Sequence, residues 1–282
     1  MLSTGKMRFQ SPLRYNDPFD SQWDPMWNLR TPKALEFTKQ LIKSAIEDPK
    51  SWPEETDPDF RTALLDERNR IYALPLANRE GAIRELADDV GDSHKLHVKI
   101  DAELLDQRRR LRVLCLSVNR ERVTMWSHYA DQHRGVVLTF DTTMLEDGLK
   151  RPVEEVMYGD SAPTLVDMEM WCRALVFGLP EPKLPDDPTV WTRTKSSGWS
   201  DEEEWRLTTI AAKGTLGDYA DYDLPRNALL GITFGCRTDM VEARQLAALA
   251  LPFGEQVKLS QLYMPVGSFN LASRDLSLSD DL

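Results

Sequence analysis

The first thirty residues show no sustained hydrophobic period. The stretch NDPFDSQWDPMW, Asn16 to Trp27, crowds Asp-Pro pairs and aromatics together and reads as fixed turns, with Phe19 as a plug. A helical period starts at Thr31, where Thr-Pro is a good N-cap and first-turn pair, and Leu35, Leu41, Ile42, Ala45 and Ile46 approximate one face. Further helices are expected over residues 59–73, 78–90 and 95–110. After Arg112 the texture changes. RVLCLSV, VVLTFD, VEEVMYG, EWRLTTI, LLGITFG and VKLSQLYM are short runs rich in β-branched, leucine and aromatic residues, bounded by Gly, Pro and Asp, which is the pattern of strands. Helices fit at residues 164–177 and 239–250, and the proline-dense GLPEPKLPDDP reads as an extended surface loop.

The runs alternate without a regular βαβ period, and neither GxGxxG nor GxxxxGK[ST] occurs. The expected fold class is therefore α+β. A mixed, mostly antiparallel sheet would occupy a single domain over 1–282, with a helical insertion or cap at 31–110 and a flexible, polar tail over 265–282.

Composition narrows the classes of function. At 282 residues, 41% hydrophobic and 29% charged, the chain fits a globular protein with a sizeable core. No apolar run approaches the roughly 20 residues of a membrane span, and the N-terminus lacks a signal-type segment. Three scattered cysteines argue for a reducing compartment, so a cytoplasmic location is expected, with no membrane partner. The net charge of -11 argues against broad nucleic-acid binding. QRRRLR, Gln107 to Arg112, is the densest basic run and reads as a solvated helical face.

Three places carry chemistry-bearing residues. TMWSHYADQHRG, from Thr124, holds two of the four histidines, His128 and His133, beside Trp126 and Tyr129, where the aromatics read as core residues that aim His128 at a cleft. In KSSGWSDEEEWRLTTI, strand alternation puts Glu202, Glu204 and Arg206 on one side and Trp205 and Leu207 on the other. Paired carboxylates beside a guanidinium suit general-base work, a clamp on a cationic intermediate, or an ion-paired strand. In RYNDPFD, Asn16 and Asp17 precede Pro18 and favour an Asx-type turn.

Taken in order, SPLRYNDPFD, MWSHYA followed by HRG and a strand, VMYG, and K-x-x-x-W-x-x-E-x-E-x-R resemble a large bacterial family known as domain of unknown function 2971. By position the resemblance marks Asn16, Asp17, Phe19, Asp20, Trp126, His128, Tyr129, Gly135, Tyr158, Lys195, Trp199, Glu202, Glu204 and Arg206. The family usually begins with a tyrosine-rich strand before the NDPFD turn, and no residue ahead of that turn here matches it, so either the start is truncated or the first strand of the fold is missing. The Glu-x-Glu also looks like the acidic motif of ADP-ribosyltransferases. That likeness implies Glu204 on the nicotinamide ribose, stabilising an oxocarbenium-like transition state, and Glu202 assisting an acceptor. His128, Tyr129 and Trp126 would bind ribose or stack on nicotinamide. Asn16 would hold the carboxamide, with Asp17, Tyr158, Lys195 and Arg206 also contributing to binding.

The expectation is an effector-type enzyme of bacterial stress or antiphage defence acting on NAD or a nucleotide. NAD would be the co-substrate, an unidentified macromolecule the acceptor, and no metal is expected. Two alternatives stand beside it. One is a non-catalytic binding or sensor module whose motif residues are structural. The other is a hydrolase holding a divalent ion on Asp17, Asp20, Glu202 and Glu204.

Overall fold

The computed structural model describes residues 1–97, 102–185, 187–215, 217–225 and 227–277. The chain divides into two units. The first comprises Met1–Gln22, Gln107–Ser161 and Pro188–Leu282, and the second Trp23–Asp106 and Ala162–Asp187.

The second unit is helical. It contains α1 (Pro32–Glu47), α2 (Pro58–Tyr72), α3 (Leu76–His97), the start of α4 (Ala102–Arg110) and α7 (Met168–Phe177). Thr31 caps α1 as its sequence suggests, accepting from the Ala34 amide, and Asp57 and Asp167 cap α2 and α7 in the same manner. Ile42, Ala45 and Ile46 of α1 meet Leu64, Ile71, Ile83 and Phe177 in one apolar cluster, with Leu41 packed against it. Two boundaries differ from the sequence reading. Residues 95–97 continue α3 rather than opening a new helix, while 98–101 lie outside the described residues. The helix expected from 164 begins at Met168, where Asp167 caps it, and the expected 31–110 block covers only part of this unit.

The first unit holds the strands. One five-stranded antiparallel sheet has the order β4 (Val153–Glu155), β7 (Glu204–Ile210), β2 (Leu111–Ser117), β1 (Lys6–Gln10) and β8 (Tyr219–Asp223). A four-stranded sheet runs β11 (Ala272–Asp275), β10 (Lys258–Tyr263), β9 (Leu229–Phe234), β3 (Val136–Phe140), with only β9 and β10 parallel. A short parallel pair joins β5 (Met157–Gly159) to β6 (Thr194–Ser196). Helices α5 (Val123–Tyr129), α6 (Thr142–Leu149) and α8 (Met240–Ala250) complete the unit. The α+β class and the mixed, mostly antiparallel pairing agree with the sequence pattern.

Met7, Phe9, Leu207 and Val153 of one sheet share a core with Leu229, Leu138 and Phe140 of the other. Three corrections follow. A first strand is present: β1 pairs on both edges, and its buried Met7 and Phe9 alternate with exposed Lys6 and Arg8. VEEVMYG is two strands in two sheets rather than one. QRRRLR is not a solvated face, because Arg108 donates to Ser21 O, Arg110 to Ala211 O, and buried Arg112 to Arg109, Leu111 and Gly217 carbonyls. The tail region from 265 includes β11, whose register runs from Ala272 opposite Tyr263 to Asp275 opposite Ser260.

The end of β9 approaches the turn after α5 closely. A Cβ at Gly235 would stand 2.0 Å from the His133 carbonyl oxygen, a backbone atom that cannot move without displacing the turn. Gly235→Ala should therefore lower unfolding free energy by about 3 kcal/mol or more, as severe overpacking does, with equilibrium urea unfolding as the measurement.

Candidate functional site

Five charged side chains converge in the first unit on a network that is buried from solvent. Arg206, 2% exposed, comes from the middle of β7. It grips Glu204 through Nε to Oε1 (2.8 Å) and Nη2 to Oε2 (2.9 Å). It grips Asp20 through Nη1 to Oδ1 (2.8 Å) and Nη2 to Oδ2 (2.5 Å), and adds Nη1 to Thr192 O (3.0 Å). Two bidentate forks on one guanidinium are the geometry in which Arg pairs most strongly. Lys195, on β6, donates to Glu202 Oε2 (2.5 Å) and Glu204 Oε2 (3.0 Å), stands 3.7 Å from Asp20 Oδ2, and lies over the Trp199 ring.

Each acid is delivered by a distinct local structure. Asp20 closes the NDPFD turn, which Asp17 sets by accepting from the Phe19 amide (2.9 Å). Glu204 opens β7, its amide donating to the Tyr158 hydroxyl (2.8 Å). Glu202 is not on the strand. It ends a 3-10 turn over Ser197–Glu202, and Glu203 follows in the left-handed region at φ 46°. Strand alternation therefore does not place Glu202 beside Glu204; the left-handed residue between them does. That costly conformation is fastened by Arg122, which pairs with Glu203 (2.5 Å) and Asp201 (3.1 Å).

Above the network lies a cavity of about 570 Å³ lined by Tyr15, Asn16, Cys115, His128 and Tyr129, with the five charged groups also on its surface. The groove between α1 and α3 in the second unit is larger, at about 960 Å³, but its charges are balanced and exposed, with Lys39 paired to Asp88. The smaller cavity is the one with organised chemistry.

Burial alone would raise the Glu204 carboxyl, yet Arg206 and Lys195 outweigh it and hold Glu204 below the ordinary carboxylate range. Burial likewise opposes the charge on Lys195, and Glu204 and Glu202 overcome it, so the ammonium is held above its usual range. Desolvation, then the hydrogen bond to Glu202, raises the Tyr129 phenol. The phenol therefore serves as a donor, giving its proton to Glu202 Oε1 at 2.7 Å.

The sequence-derived candidates separate. Glu202, Glu204, Lys195, Arg206, His128, Tyr129 and Asn16 line the cavity. Tyr158 acts from beneath, on the Glu204 backbone. Trp126 does not face it: the indole is 1% exposed, packs with Ala130 and Leu262, and donates to Arg120 O. Tyr129 is not a core aromatic, being 54% exposed, and Phe19 is no plug, at 74%. Asp17 is absent from the lining; its Oδ1 sets the turn, and its Oδ2 is buried without a hydrogen-bond partner. His133 bonds Ser127 instead (3.0 Å) and is absent from the lining. Asp20, Tyr15 and Cys115 belong to the site. Asp20 was legible only in the NDPFD motif, whereas Tyr15 and Cys115 had no signal. Among the described residues no group of three or more His, Cys, Asp or Glu is placed to hold a metal ion, and the protein's own cations sit between the acids. No described helix is long and apolar enough to cross a membrane.

Residues 125–207 match the family model DUF2971, described as a protein of unknown function. The match runs from α5 through most of β7 and so carries His128, Tyr129, Tyr158, Lys195, Glu202, Glu204 and Arg206. No curated protein and no solved structure matches the chain.

Two outcomes follow from the network. Arg206→Met leaves three buried acids against a single cation and should cost about 3–5 kcal/mol in urea unfolding. A depressed Glu204 contributes stability above its ordinary value of 4.5 that is lost as pH falls through the depressed one. The stability gap between wild type and Glu204→Gln should therefore be constant at neutral pH and shrink below pH 4.5, read from unfolding curves across that range.

Proposed function

We propose that the cavity, most of whose charged floor lies in the segment matching DUF2971, is the working site of an enzyme acting on NAD or a related nucleotide at its N-glycosidic bond. The observation that carries this reading is a fixed acidic floor: three carboxylates against two cations leave one net negative charge beneath an open cavity. Cleaving the bond between nicotinamide and ribose leaves the electron pair on the ring nitrogen and positive charge on the anomeric carbon. Preorganised negative charge lowers the energy of that state. Water or an acceptor nucleophile then adds to the anomeric carbon and releases a proton.

The hydrogen-bond pattern favours exchanging the roles expected of the two glutamates. Glu204 is consumed by Arg206 and Lys195, so it holds the site together. Glu202 is gripped on one oxygen by Lys195 and on the other by the Tyr129 hydroxyl, at the cavity surface. It is the carboxylate presented to the ribose. His128 and Asn16 line the walls. Arg14, whose Nε pairs with Asp218 (2.6 Å), is also on the lining.

The complete pairing of Glu204 and Arg206 equally favours a second reading, a non-catalytic module that binds a small molecule in this cavity.

One assay separates the two. Wild type and Glu202→Gln are incubated with millimolar NAD, recording free nicotinamide and the thermal midpoint. Under the enzymatic reading wild type releases nicotinamide, and the variant, folded to a similar midpoint, is slower by about a hundred-fold or more. A midpoint raised by NAD without nicotinamide release selects the binding module. No shift and no release removes NAD from both readings.

A further inference from the structure

The charged groups of the cavity floor present mainly hydrogen-bond acceptors, with one N–H of Lys195 as the donor not committed to a hydrogen bond. All five N–H bonds of Arg206 are used: Nε on Glu204, Nη1 on Asp20 Oδ1 and Thr192 O, Nη2 on Asp20 Oδ2 and Glu204 Oε2. Two protons of Lys195 go to Glu202 and Glu204, and its remaining neighbour is Asp20 Oδ2 at 3.7 Å. The Tyr129 hydroxyl proton goes to Glu202 Oε1, and Ser117 Oγ donates to the Glu202 carbonyl at 2.7 Å. A phosphate or carboxylate arriving at this floor meets three anions, and the single uncommitted N–H of Lys195 stands 3.7 Å from one of them, Asp20. A ligand bringing donors meets the opposite situation. Each carboxylate oxygen accepts more than one hydrogen bond, and the net charge of the cluster is negative. The exposed faces of Tyr129 and His128 on the same lining suit a flat or cationic group.

We infer that the floor of this cavity recognises a cationic head group carrying N–H or O–H donors, with Glu202 as its principal acceptor, and excludes phosphate. This rests on the cavity being the ligand site, as proposed above, but not on the ligand being NAD. A pyridinium riboside and a guanidinium or primary amine share the required chemistry. In a nucleotide, only the nicotinamide-ribose end could occupy the floor, with the phosphates held at the rim.

The test is calorimetric titration of the full chain with nicotinamide riboside, agmatine and inorganic pyrophosphate, each against wild type, Glu202→Gln and Tyr129→Phe. Far-ultraviolet dichroism and the thermal midpoint confirm that each variant is folded. At least one of the two organic cations is expected to bind wild type, with pyrophosphate silent. Glu202→Gln cancels the net negative charge and should weaken that cation at least about ten-fold. Tyr129→Phe frees Glu202 Oε1 and keeps the ring, so the cation should bind as well or better. Should Glu202→Gln fail to fold, the Tyr129→Phe result and the pyrophosphate result carry the decision. Agmatine binding without nicotinamide riboside or NAD upholds the inference and refutes the NAD reading. Nicotinamide riboside binding without nicotinamide release upholds it and refutes only the enzymatic reading. Pyrophosphate binding that depends on the floor, no binding by either cation, cation affinity unchanged in Glu202→Gln, or a ten-fold loss in Tyr129→Phe each overturn it.

Discussion

A guanidinium that is 2% exposed cannot be left short of partners, and much of the first unit near the site can be read as the means of satisfying Arg206. Its acceptors come from places far apart in sequence: Asp20 from the NDPFD turn, Thr192 from the segment before β6, and Glu204 from its own strand. Arg206 therefore ties the turn and the segment before β6 to β7. The turn is set locally by the Asp17 side chain, and Ser21 supports Asp20 through its hydroxyl at 2.9 Å. The result is a rigid charged platform in which each cation is held by at least two of the three acids.

This constraint divides labour between residues that look alike in the sequence. Glu204 and Glu202 are two positions apart and both bind Lys195, yet only Glu204 is also forked by Arg206. Holding Glu202 beside the network requires a left-handed residue at 203, which L side chains adopt at a cost. Arg122, at the N-cap of α5, meets that residue's carboxylate, so the helix bearing His128 and Tyr129 is tied to the segment bearing the acids. A second run of left-handed residues, Asp131, Gln132 and His133, follows the same helix and packs on the tail of β9, where Gly235 leaves room for the His133 carbonyl. Left-handed residues thus accompany both ends of α5, Glu203 through Arg122 at its start and residues 131–133 after its end.

Much of the local architecture was legible in advance. Asp-Pro chemistry forecast the Asx turn at Asp17, Thr31-Pro32 forecast the start of α1, and EWRLTTI forecast β7 with its bounds. These are decided by neighbours in the chain, through a side chain reaching a nearby amide or a period of alternating contact. The strand β1 was equally periodic, but five residues beside a cluster of turn formers were overshadowed by them. The arginines of Gln107–Arg112 misled for the opposite reason. Their charge suggests solvent, while the carbonyls that receive Arg110 and Arg112 include ones a hundred residues away.

By itself, then, the sequence determined the elements, the α+β class, and the identity of the charged residues that gather at one place. Only the tertiary structure decided how those charges pair with one another. Pairing depends on distances set by the sheet order β4-β7-β2-β1-β8 and by a turn arriving from residue 20, neither of which any local pattern encodes. A carboxylate's chemistry is fixed by what stands within about 4 Å of it, because electrostatic and hydrogen-bond effects on ionisation act over that range. Here that neighbourhood forks Glu204 on Arg206 as well as Lys195, and gives Glu202 to Lys195 and the Tyr129 hydroxyl.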